Sequence, residues 1–591
     1  MKQFFKMFFA SLLAMIVAGV LLIIIFISSI VALVAKAKEK EKKTEANTVL
    51  VVNLGKTYHE LGERNSIGAF FNENTSSSGL YDITKAIANA KTDNNVKGIY
   101  IKLEAGGNGW ASKQQIRMAL EDFKKSGKFI YAYGEEITQG TYYVGSVADS
   151  VYLNPIGGMQ LKGFATTLAF FKGTLDKLEI QPEIFYAGKF KSATEPFRTD
   201  KMSDANKLQT IALQHSFWND FLKAVMQHTH SDSNTINQLT QTGAVQFAED
   251  ALKYKLVDGL LYFDQVEDRI KAKTGQAAKD KINYMSIDDY AQDHRDIKIS
   301  DNRIAVLYAE GNIVDGENTD DYEIASKTFI ESIRKVRDDE KIKIVVLRVN
   351  SPGGSALASE LILRELQLLK AKKPLIVSMG DLAASGGYYI ACQADSIFAL
   401  PNTITGSIGV FGMMFNIDKM MKNKLGVTFD GVKTAPYADF PAGTRPLTPD
   451  EAARMQKSVD NIYTIFKSRV SVGRHLSMNV VDSLAQGHVY SGTDALKLGL
   501  VDRLGNLDVA ITSAAAKANL KDYKIVSYPE PIDKFQNMLK KMRSSGVSEE
   551  IVKQSVKQQL GTNFEWYKQL KNFSNMNGKV QMAMPFVFNI Q

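Results

Sequence analysis

Cysteine is almost absent from this sequence, since Cys392 is the only one among 591 residues. An intrachain disulfide is therefore impossible, and a metal site built on several cysteine thiolates is excluded. A single thiol does not indicate whether the chain works in an oxidising or a reducing compartment. Disulfide-stabilised scaffolds and zinc-cysteine modules are thus removed from consideration.

A strong excess of charge of one sign is also lacking. The chain has 72 Lys and Arg against 64 Asp and Glu, a net charge of +8. No stripe of basic residues is interleaved with aromatic ones, so we predict no nucleic-acid partner. The mild positive excess favours an anionic membrane surface instead. The length is too great for a single hydrophobic core and predicts roughly three or four domains.

Charged residues are missing altogether from Met7 to Ala35. As a helix, this run would span roughly 43 Å, more than a hydrocarbon core of ~30 Å requires. The apolar part of a cleaved signal peptide is shorter, about 7–15 residues. We therefore predict an uncleaved transmembrane anchor over residues 7–35. Its orientation stays open, because the lysines that follow it would by count keep the rest of the chain in the cytoplasm.

The remainder of the chain repeats itself. The run EEITQGTYYVGSVADS from Glu135 matches DLAASGGYYIACQADS from Asp381, which defines an offset of 246 residues. A second pair, ALKYKLVDGL from Ala251 and ALKLGLVDRL from Ala495, keeps nearly the same spacing. Two matches in the same order, more than a hundred residues apart, indicate that a whole domain was duplicated.

Both copies alternate apolar, β-branched runs such as KIKIVVLRVN (341–350) with amphipathic helices. This alternation is typical of α/β units with buried sheets. We divide the chain into an anchor and linker (1–46), a first copy (47–299), a second copy (300–515) and a C-terminal extension (516–591). The extension closes on QMAMPFVFNI, which we interpret as an edge strand.

The two copies differ where chemistry is expected. Ser385 of the second copy falls on Gln139 of the first, and Lys191 of the first falls on Tyr437 of the second. If the copies pack face to face, they bring one serine and one lysine into a single site. Each copy then supplies a group that the other lacks.

Ser385 lies in AASGGYYIA, between a predicted strand and a predicted helix. Its hydroxyl is thereby placed at a helix N-terminus, where free N–H groups favour negative charge. Gly386 leaves room for a substrate backbone. A second glycine turn, NSPGGS (Asn350–Ser355), could add the N–H of Gly354 to that of Gly386 in an oxyanion site. The alternative is that both are ordinary turns in which a serine caps a helix.

A nucleophilic serine needs a base, and histidine is the usual one. None of the histidines lies in a glycine-rich turn or in a recognisable motif beside an acid, so we assign a surface or core position to each: His59, His215, His228, His230, His294, His475 and His488. A lysine can act instead if burial lowers its pKa. Lys191 and Lys189, both in GKFKSATEPF, are the competing candidates.

The motifs KSATEPF, NSPGG, MGDLAASGGYYIA, TGSIGVFG and ALKLGLVD resemble those of the long, two-domain form of signal peptide peptidase A, in the ClpP/crotonase superfamily. The resemblance covers about residues 45 to 520, and also the anchor. It implies an α/β fold of tandem, duplicated ClpP/crotonase-like ββα spiral domains with an N-terminal transmembrane helix, assembled as a membrane-tethered homotetramer. It also implies a single-pass protein of the cytoplasmic membrane, with its domains on the periplasmic side.

The same resemblance implies a role for each candidate. Ser385 is the expected nucleophile, Lys191 rather than Lys189 the expected general base, and Ser407 of the TGSIG motif the group that orients the lysine. With Gly386 and Gly354 as oxyanion donors, no metal or organic cofactor is needed. The expected function is a serine endopeptidase with a Ser–Lys dyad that degrades cleaved signal peptides and other apolar peptides of the lipid bilayer.

Two other functions fit part of this pattern. An acyl-CoA hydratase or isomerase would share the crotonase spiral, but it needs no nucleophilic serine and leaves the anchor unexplained. A non-enzymatic, membrane-tethered scaffold would be a degenerate peptidase, and Gln139 indicates that the serine can be lost on this fold. Covalent labelling by a fluorophosphonate probe distinguishes the three, because only the serine hydrolase should react.

Overall fold

The computed structural model describes residues 43–64, 77–295, 298–318, 322–533 and 578–584, together with residues 3–4, 6–8, 10–15, 17–19, 21 and 559. The described residues between 3 and 21 are helical. Within the described ranges, no helix is both long enough and apolar enough to cross a membrane. The part of the predicted anchor from residue 22 to residue 35 lies outside the described residues, so the anchor stays a prediction.

The strands, in chain order, are β1 (Thr48–Asn53), β2 (Glu63–Arg64), β3 (Val96–Lys102), β4 (Phe129–Ile137), β5 (Ser150–Met159), β6 (Gln181–Ala187), β7 (Gly259–Leu260), β8 (Asn283–Ser286), β9 (Arg303–Glu310), β10 (Asn312–Val314), β11 (Glu323–Ala325), β12 (Ile342–Ser351), β13 (Gly353–Ser355), β14 (Leu375–Ala384), β15 (Ser396–Ala399), β16 (Ile404–Gly406), β17 (Val410–Asn416), β18 (Val489–Ser491), β19 (Arg503–Leu504), β20 (Lys524–Tyr528), β21 (Ile532–Asp533) and β22 (Val580–Ala583).

The helices are α1 (Leu80–Ala90), α2 (Trp110–Lys124), α3 (Gln139–Gly145), α4 (Lys172–Leu178), α5 (Glu195–Arg198), α6 (Asp204–Thr229), α7 (Ser233–Thr242), α8 (Ala248–Lys253), α9 (Phe263–Thr274), α10 (Ile287–Asp293), α11 (Ser326–Asp338), α12 (Ala356–Lys370), α13 (Gly386–Ala391), α14 (Asp418–Leu425), α15 (Pro449–Arg474), α16 (Met478–Leu484), α17 (Gly492–Lys497) and α18 (Leu507–Lys517). A turn of 3₁₀ helix at Ser192–Thr194 precedes α5.

Two large sheets form the centres of the two copies, and their strand orders correspond. The first runs β7-β5-β4-β3-β1-β8, and the second runs β18-β16-β14-β12-β9-β20 with β15 between β14 and β19. The central strands are parallel in both sheets. Just as β8 pairs in parallel with β1, β20 pairs in parallel with β9. The sheet of the second copy therefore includes residues 524–528, which we had assigned to the C-terminal extension.

Strand β12 shows why these sheets are recognisable in the sequence. It reads IKIVVLRVNS and is buried from Ile344 to Val349, because layers cover both faces of a central parallel strand. Its one buried charge, Arg348, is paired with Glu60 of the first copy at 2.8 Å. Removing one member of such a pair leaves the other charge buried without a partner, which lowers the free energy of unfolding by about 3–5 kcal/mol. This ion pair therefore fastens the two copies together.

A third sheet, ordered β11-β10-β13-β22-β17-β6, joins the copies directly. In it, β6 of the first copy runs antiparallel to β17 of the second, and Ala187 pairs with Val410. Lys191 follows shortly after the end of β6, and Ser407 lies just before the start of β17. The ladder thus delivers both residues to one place, although they are far apart in the sequence.

For the part of the closing run that the structure describes, residues 581–584, the interpretation as an edge strand is wrong. Strand β22 lies inside the third sheet, where it is antiparallel to both β13 and β17. Its residues 581–583 are buried, because neighbours cover both of its edges and both of its faces. A short apolar run looks the same in a sequence whether one or both of its edges are paired.

Candidate active site

Ser385 lies between the end of β14 and the start of α13, with no exposed surface. Its backbone has φ 54° and ψ −114°, a strained conformation for a residue with a side chain. The amide of Ser385 donates to the carbonyl of Gly406 at 2.9 Å, which holds the turn in place. Its side chain makes no capping hydrogen bond to α13, whereas Ser355 caps α12 in the ordinary way. The capping alternative is therefore right for Ser355 and wrong for Ser385.

The hydroxyl of Ser385 faces Lys191 instead. Lys191 Nζ lies 2.8 Å from Ser385 Oγ, 3.1 Å from Ser407 Oγ and 3.3 Å from the carbonyl oxygen of Ser407. Lys191 is 1 % exposed, while Lys189 is exposed to solvent beside Phe190. The structure thus brings together three of the predicted site residues, and it separates the two competing lysines by burial.

Burial lowers the pKa of Lys191 from 10.5 to about 7. The cause is desolvation, which disfavours the charged ammonium, and no carboxylate in the described residues offsets it. A neutral amine has two N–H donors and one lone pair. The carbonyl and hydroxyl oxygens of Ser407 can accept the two donors, and the lone pair is then directed at the proton of Ser385. The same three oxygens could also accept from the three N–H groups of an ammonium, so it is burial and not hydrogen-bond geometry that favours the neutral lysine.

Ser407 lies in the short link between β16 and β17, with φ 49°. Its N–H donates to the carbonyl of His488 at 2.7 Å, so the strained turn is fixed by the strand-like segment before β18. The ring of His488 is stacked on Tyr490 and touches Phe190 edge-on. Within the described ranges, no histidine ring is hydrogen-bonded to Ser385 or Lys191, which agrees with the prediction that the histidines have other positions.

Gln209 of α6 holds residues Phe190–Ser192, which we call the lysine segment, by hydrogen bonds. The sequence analysis did not identify this glutamine. Its Nε2 donates to the carbonyl of Phe190 and to Ser192 Oγ, each at 3.1 Å, which are the residues on either side of Lys191. Its Oε1 accepts from the amide of Val489 at 3.3 Å. One buried amide side chain therefore ties the segment around Lys191 to the start of β18, next to the His488 carbonyl that holds the amide of Ser407. Nothing in the sequence marked this glutamine among the others of a long helix.

Glu195 stiffens the other side of the lysine segment. Its carboxylate is 1 % exposed and accepts hydrogen bonds from the hydroxyl and amide of Ser203 and from Asn206 Nδ2. These contacts hold the start of α6 against the 3₁₀ turn that follows Lys191. The KSATEPF motif did contain this glutamate, but the sequence alone could not show what it binds.

The two glycine turns meet beside Ser385. A Cβ atom on Gly353 would stand 2.6 Å from the amide nitrogen of Gly386 and 2.0 Å from the carbonyl oxygen of Met582. Gly353 has φ 98°, and its N–H donates to Ser351 Oγ. The close approach therefore requires glycine at 353, a position that the sequence analysis did not single out within NSPGG. The predicted oxyanion donors Gly386 and Gly354 lie at this meeting point, and their role stays a prediction.

The corresponding turn of the first copy is closed by its own side chain. Gln139 Oε1 accepts from the amides of Lys162 and Gly163 at 2.9 Å, and Gln139 Nε2 donates to the carbonyl of Gly163 at 2.9 Å. Tyr437, which falls on Lys191 in the repeat, is at the surface and bonds to Asp450. The duplication thus gives one composite site, in which the second copy supplies the serine and the first the lysine.

Comparison with known proteins identifies relatives of the whole arrangement. The model of peptidase family S49 matches residues 122–277 and again residues 367–521. "Protease 4" of Salmonella typhi is 38 % identical over 493 residues, which cover 81 % of this chain and 79 % of that protein. "Protease 4" of Haemophilus influenzae is 35 % identical over 494 residues, with coverages of 80 % and 79 %.

Two further matches are more distant. "Serine protease SPPA, chloroplastic" of Arabidopsis thaliana is 31 % identical over 477 residues, which cover 79 % of this chain and 70 % of that protein. A ClpP1 mutant of Listeria monocytogenes covers 35 % of this chain and 94 % of its own, at 15 % identity. The TM-score of that structural match is 0.24, too low to support a conclusion about fold.

Proposed function

The chain belongs to peptidase family S49 and is a serine peptidase, and we propose that Ser385 and Lys191 form its catalytic dyad. The double match of the family model and the coverage of its relatives confirm the sequence resemblance to the long, two-domain signal peptide peptidase A. The observation that carries the proposal is the 2.8 Å separation of Lys191 Nζ and Ser385 Oγ, in a site with no exposed surface on the serine.

In the proposed acylation step, Ser385 Oγ attacks the carbonyl carbon of the scissile peptide bond. Its proton passes to the lone pair of neutral Lys191, while the amides of Gly386 and Gly354 donate to the developing oxyanion. The resulting ammonium of Lys191 then donates this proton to the leaving nitrogen as the tetrahedral intermediate collapses and the C–N bond breaks. Ser407 holds the amine in line throughout, as a third group does in other nucleophile–base pairs.

In the proposed deacylation step, water takes the place of the departed amine. Lys191 removes a proton from that water, which attacks the ester carbonyl of the acyl-enzyme. The lysine returns that proton to Ser385 Oγ as the ester C–O bond breaks, and the product leaves as a carboxylic acid that ionises by releasing its proton to solvent. Substrate and water supply every atom of the products, and Ser385 and Lys191 are back in their starting protonation states at the end of the cycle.

A fluorophosphonate probe tests the nucleophile directly. The full chain should be labelled at Ser385, and Ser385→Ala should lose both the label and peptide hydrolysis while keeping the same melting temperature. Ser355→Ala is the matched control, because this serine also begins a helix after a glycine turn but caps it conventionally. Labelling that persists in Ser385→Ala would assign the nucleophile to another residue. A full chain that takes no label at all would instead reopen the hydratase and scaffold alternatives, neither of which needs a reactive serine.

We further propose that residues 7–35 anchor the chain in the cytoplasmic membrane, with the peptidase copies on the periplasmic side as a homotetramer. The uncharged run of the sequence supports an anchor, and long domains translocate largely regardless of local charge. Apolar remnants of cleaved signal peptides stay in the bilayer, so an enzyme that degrades them benefits from being tethered there. Protease added to spheroplasts should digest the copies. Full protection in spheroplasts with an intact membrane would exclude the periplasmic orientation.

A further inference from the structure

Residues 578–584, which we call the tail strand, lie across the active site. Strand β22 within them pairs antiparallel with β13 on one side, where Gly354 faces Met582. It pairs antiparallel with β17 on the other side, where Phe411 faces Gln581. Strands β13 and β17 do not pair with each other, so the space between them is one strand wide, roughly 10 Å from strand to strand.

This space has the properties of a peptide-binding cleft. Both of its edges offer backbone N–H and C=O groups to an extended chain, a common way for proteins to bind peptides. The amide of Met584 donates to the carbonyl of Pro352 at 2.8 Å, and the amide of Gly578 donates to the carbonyl of Met413 at 3.0 Å. The tail strand thus forms hydrogen bonds to both walls.

The tail strand also passes the reacting groups. In an antiparallel ladder, hydrogen-bonded pairs alternate with non-bonded ones. Because Met584 bonds to Pro352, the next hydrogen-bonded pair is Met582 with Gly354. The carbonyl oxygen of Met582 lies 2.0 Å from the point where a Cβ of Gly353 would stand, and the amide nitrogen of Gly386 lies 2.6 Å from the same point. Met582 is therefore opposite Gly354, and its carbonyl lies close to the amide of Gly386, the other residue that we assigned to the oxyanion.

The side chains of the tail strand fill sites in three different parts of the core. Met582 packs into the apolar core of the second copy, and Met584 into that of the first. Ala583 joins a small cluster with Phe197 and Phe411. All three are at most 7 % exposed. At its start, Lys579 forms an ion pair with Asp315 at 3.1 Å, on the solvent side.

We propose that the tail strand is a resident ligand of the peptide cleft, so that the chain inhibits itself until residues 578–584 leave. The proposal rests on the dyad assigned above, since it identifies the cleft beside that dyad as the substrate site. A substrate must displace the strand to pair with β13 and β17. If the cleft is open one tenth of the time, the apparent KM is about tenfold higher than that of an open cleft.

The first test compares two variants of the full chain at the same residue. Met584→Pro removes the N–H that bonds to Pro352, and Met584→Leu keeps that N–H and a side chain of similar volume. We expect Met584→Pro to lower the KM for an apolar fluorogenic peptide several-fold, with kcat changed much less. Met584→Leu should resemble the unsubstituted chain. Equal KM values for both variants and the unsubstituted chain would overturn the proposal.

A second test uses truncation and adds the strand back. The chain 1–577 lacks the tail strand, and the chain 1–584 keeps it as the control. KM should fall about tenfold in 1–577 only, and a synthetic peptide of residues 578–584 should inhibit 1–577 competitively. The same peptide with proline in place of Met584 should inhibit it less. If 1–577 does not fold, as judged by circular dichroism, the comparison of Met584→Pro with Met584→Leu decides alone.

Labelling of Ser385 and the KM together distinguish failure of the tail-strand proposal from failure of the proposed dyad. If fluorophosphonate labels Ser385 equally well in all forms and KM does not change, only the tail proposal fails. If Ser385 is labelled in no form, the proposed dyad fails first. The KM of the full chain should also be independent of enzyme concentration, because the ligand is part of the same molecule. A KM that falls on dilution would mean that another copy supplies the strand, which contradicts the proposal.

Discussion

The strand-to-helix turns of the two copies have the same place in the fold and opposite properties. In the first copy, Thr138 has an ordinary extended backbone and caps α3, and Gln139 closes the turn upon itself. In the second, Ser385 has a left-handed φ and no capping bond, and its hydroxyl faces a lysine from the other copy. The comparison indicates that the second turn is available for chemistry because its serine hydroxyl bonds to a lysine of the other copy and not to its own helix.

The carbonyl groups beside the two turns show the same contrast. Gly163 and Gly409 are equivalent at the offset of 246 residues. Gln139 Nε2 bonds to the carbonyl of Gly163 at 2.9 Å, whereas Ser385 Oγ lies 3.5 Å from the carbonyl of Gly409. A long amide reaches the loop and fills the space, while a short hydroxyl leaves room for the amine of Lys191. The side-chain length at this position thus separates a structural turn from a candidate catalytic one.

The largest expected loss of activity comes from removing Ser385 or Lys191, the lysine that its hydroxyl faces. Lys191→Ala and Ser385→Ala should each lower kcat/KM by about 10⁴-fold or more, and the double variant should be no worse than either, because the two residues act as a unit. Lys189→Ala is the control, since that side chain is exposed. Hydrolysis of a fluorogenic peptide measures all four. Activity retained in Lys191→Ala and lost in Lys189→Ala would assign the base to the other lysine.

The orienting role of Ser407 should give the next largest effect. Ser407→Ala removes the hydroxyl that lies 3.1 Å from Lys191 Nζ but keeps the backbone carbonyl at 3.3 Å. We expect kcat to fall on the order of 10–100-fold, with KM nearly constant, because the amine is less well aligned in the transition state. The melting temperature should change little. A change confined to KM would show that Ser407 contacts substrate instead.

The pH dependence should follow the buried lysine. Since the pKa of Lys191 is lowered to about 7, the neutral base accumulates as the pH rises through that value, and kcat/KM should rise with it. Stability has the same sign. Between pH 7 and 10 the unfolded chain binds the lysine proton and the folded chain does not, so unfolding free energy should increase by up to about 1.4 kcal/mol per pH unit. Lys191→Met should remove this slope in urea titrations. A slope unchanged by the substitution would assign it to other groups.

The clamp that joins the copies should have a smaller effect. Gln209→Ala removes the bridge from the lysine segment to Val489, and we expect kcat to fall about tenfold with a shift in the pH profile. Gln214→Ala is the matched control, because Gln214 lies on the same helix and bonds to Thr166, away from the site. Equal kinetics for both variants would limit Gln209 to a structural role.

The smallest effect on activity is expected from the first copy. Gln139→Ser restores a serine at the turn, but Lys191 is hydrogen-bonded at the other turn, so the variant should not rescue Ser385→Ala. It should instead lower the free energy of unfolding by about 1–3 kcal/mol, because the amides of Lys162 and Gly163 lose their acceptor. Peptide hydrolysis and urea unfolding measure the two outcomes. Any rescue would mean that the first turn is a second site.

Much of the architecture was predictable because the signals were local. The buried runs of β9, β12 and β14 and the amphipathic helices between them are written in short segments, and the structure confirms them within a few residues. Ser385 was identifiable because the two copies could be compared position by position. The choice between Lys191 and Lys189 needed the family resemblance, since two lysines two residues apart look alike until burial distinguishes them.

Other features depended on contacts that no local pattern contains. Gln209 is one glutamine in a long helix, and only the packing of α6 reveals that its amide spans both copies. Gly353 was not separated from Gly354, because the sequence does not show which glycine meets Gly386. Strand β22 was assigned to an edge, since its sequence carries no information about a second paired edge.

By itself, then, the sequence determined the duplication, the α/β character of each copy and the identity of the unmatched serine and lysine. The tertiary structure decided that these two groups meet, because the register of β6 against β17 sets the distance from Lys191 to Ser385 and Ser407. It also decided which lysine is buried and what lies in the cleft. Periodicity and residue type act over a few residues, whereas pairing register and desolvation arise only when distant segments are packed together.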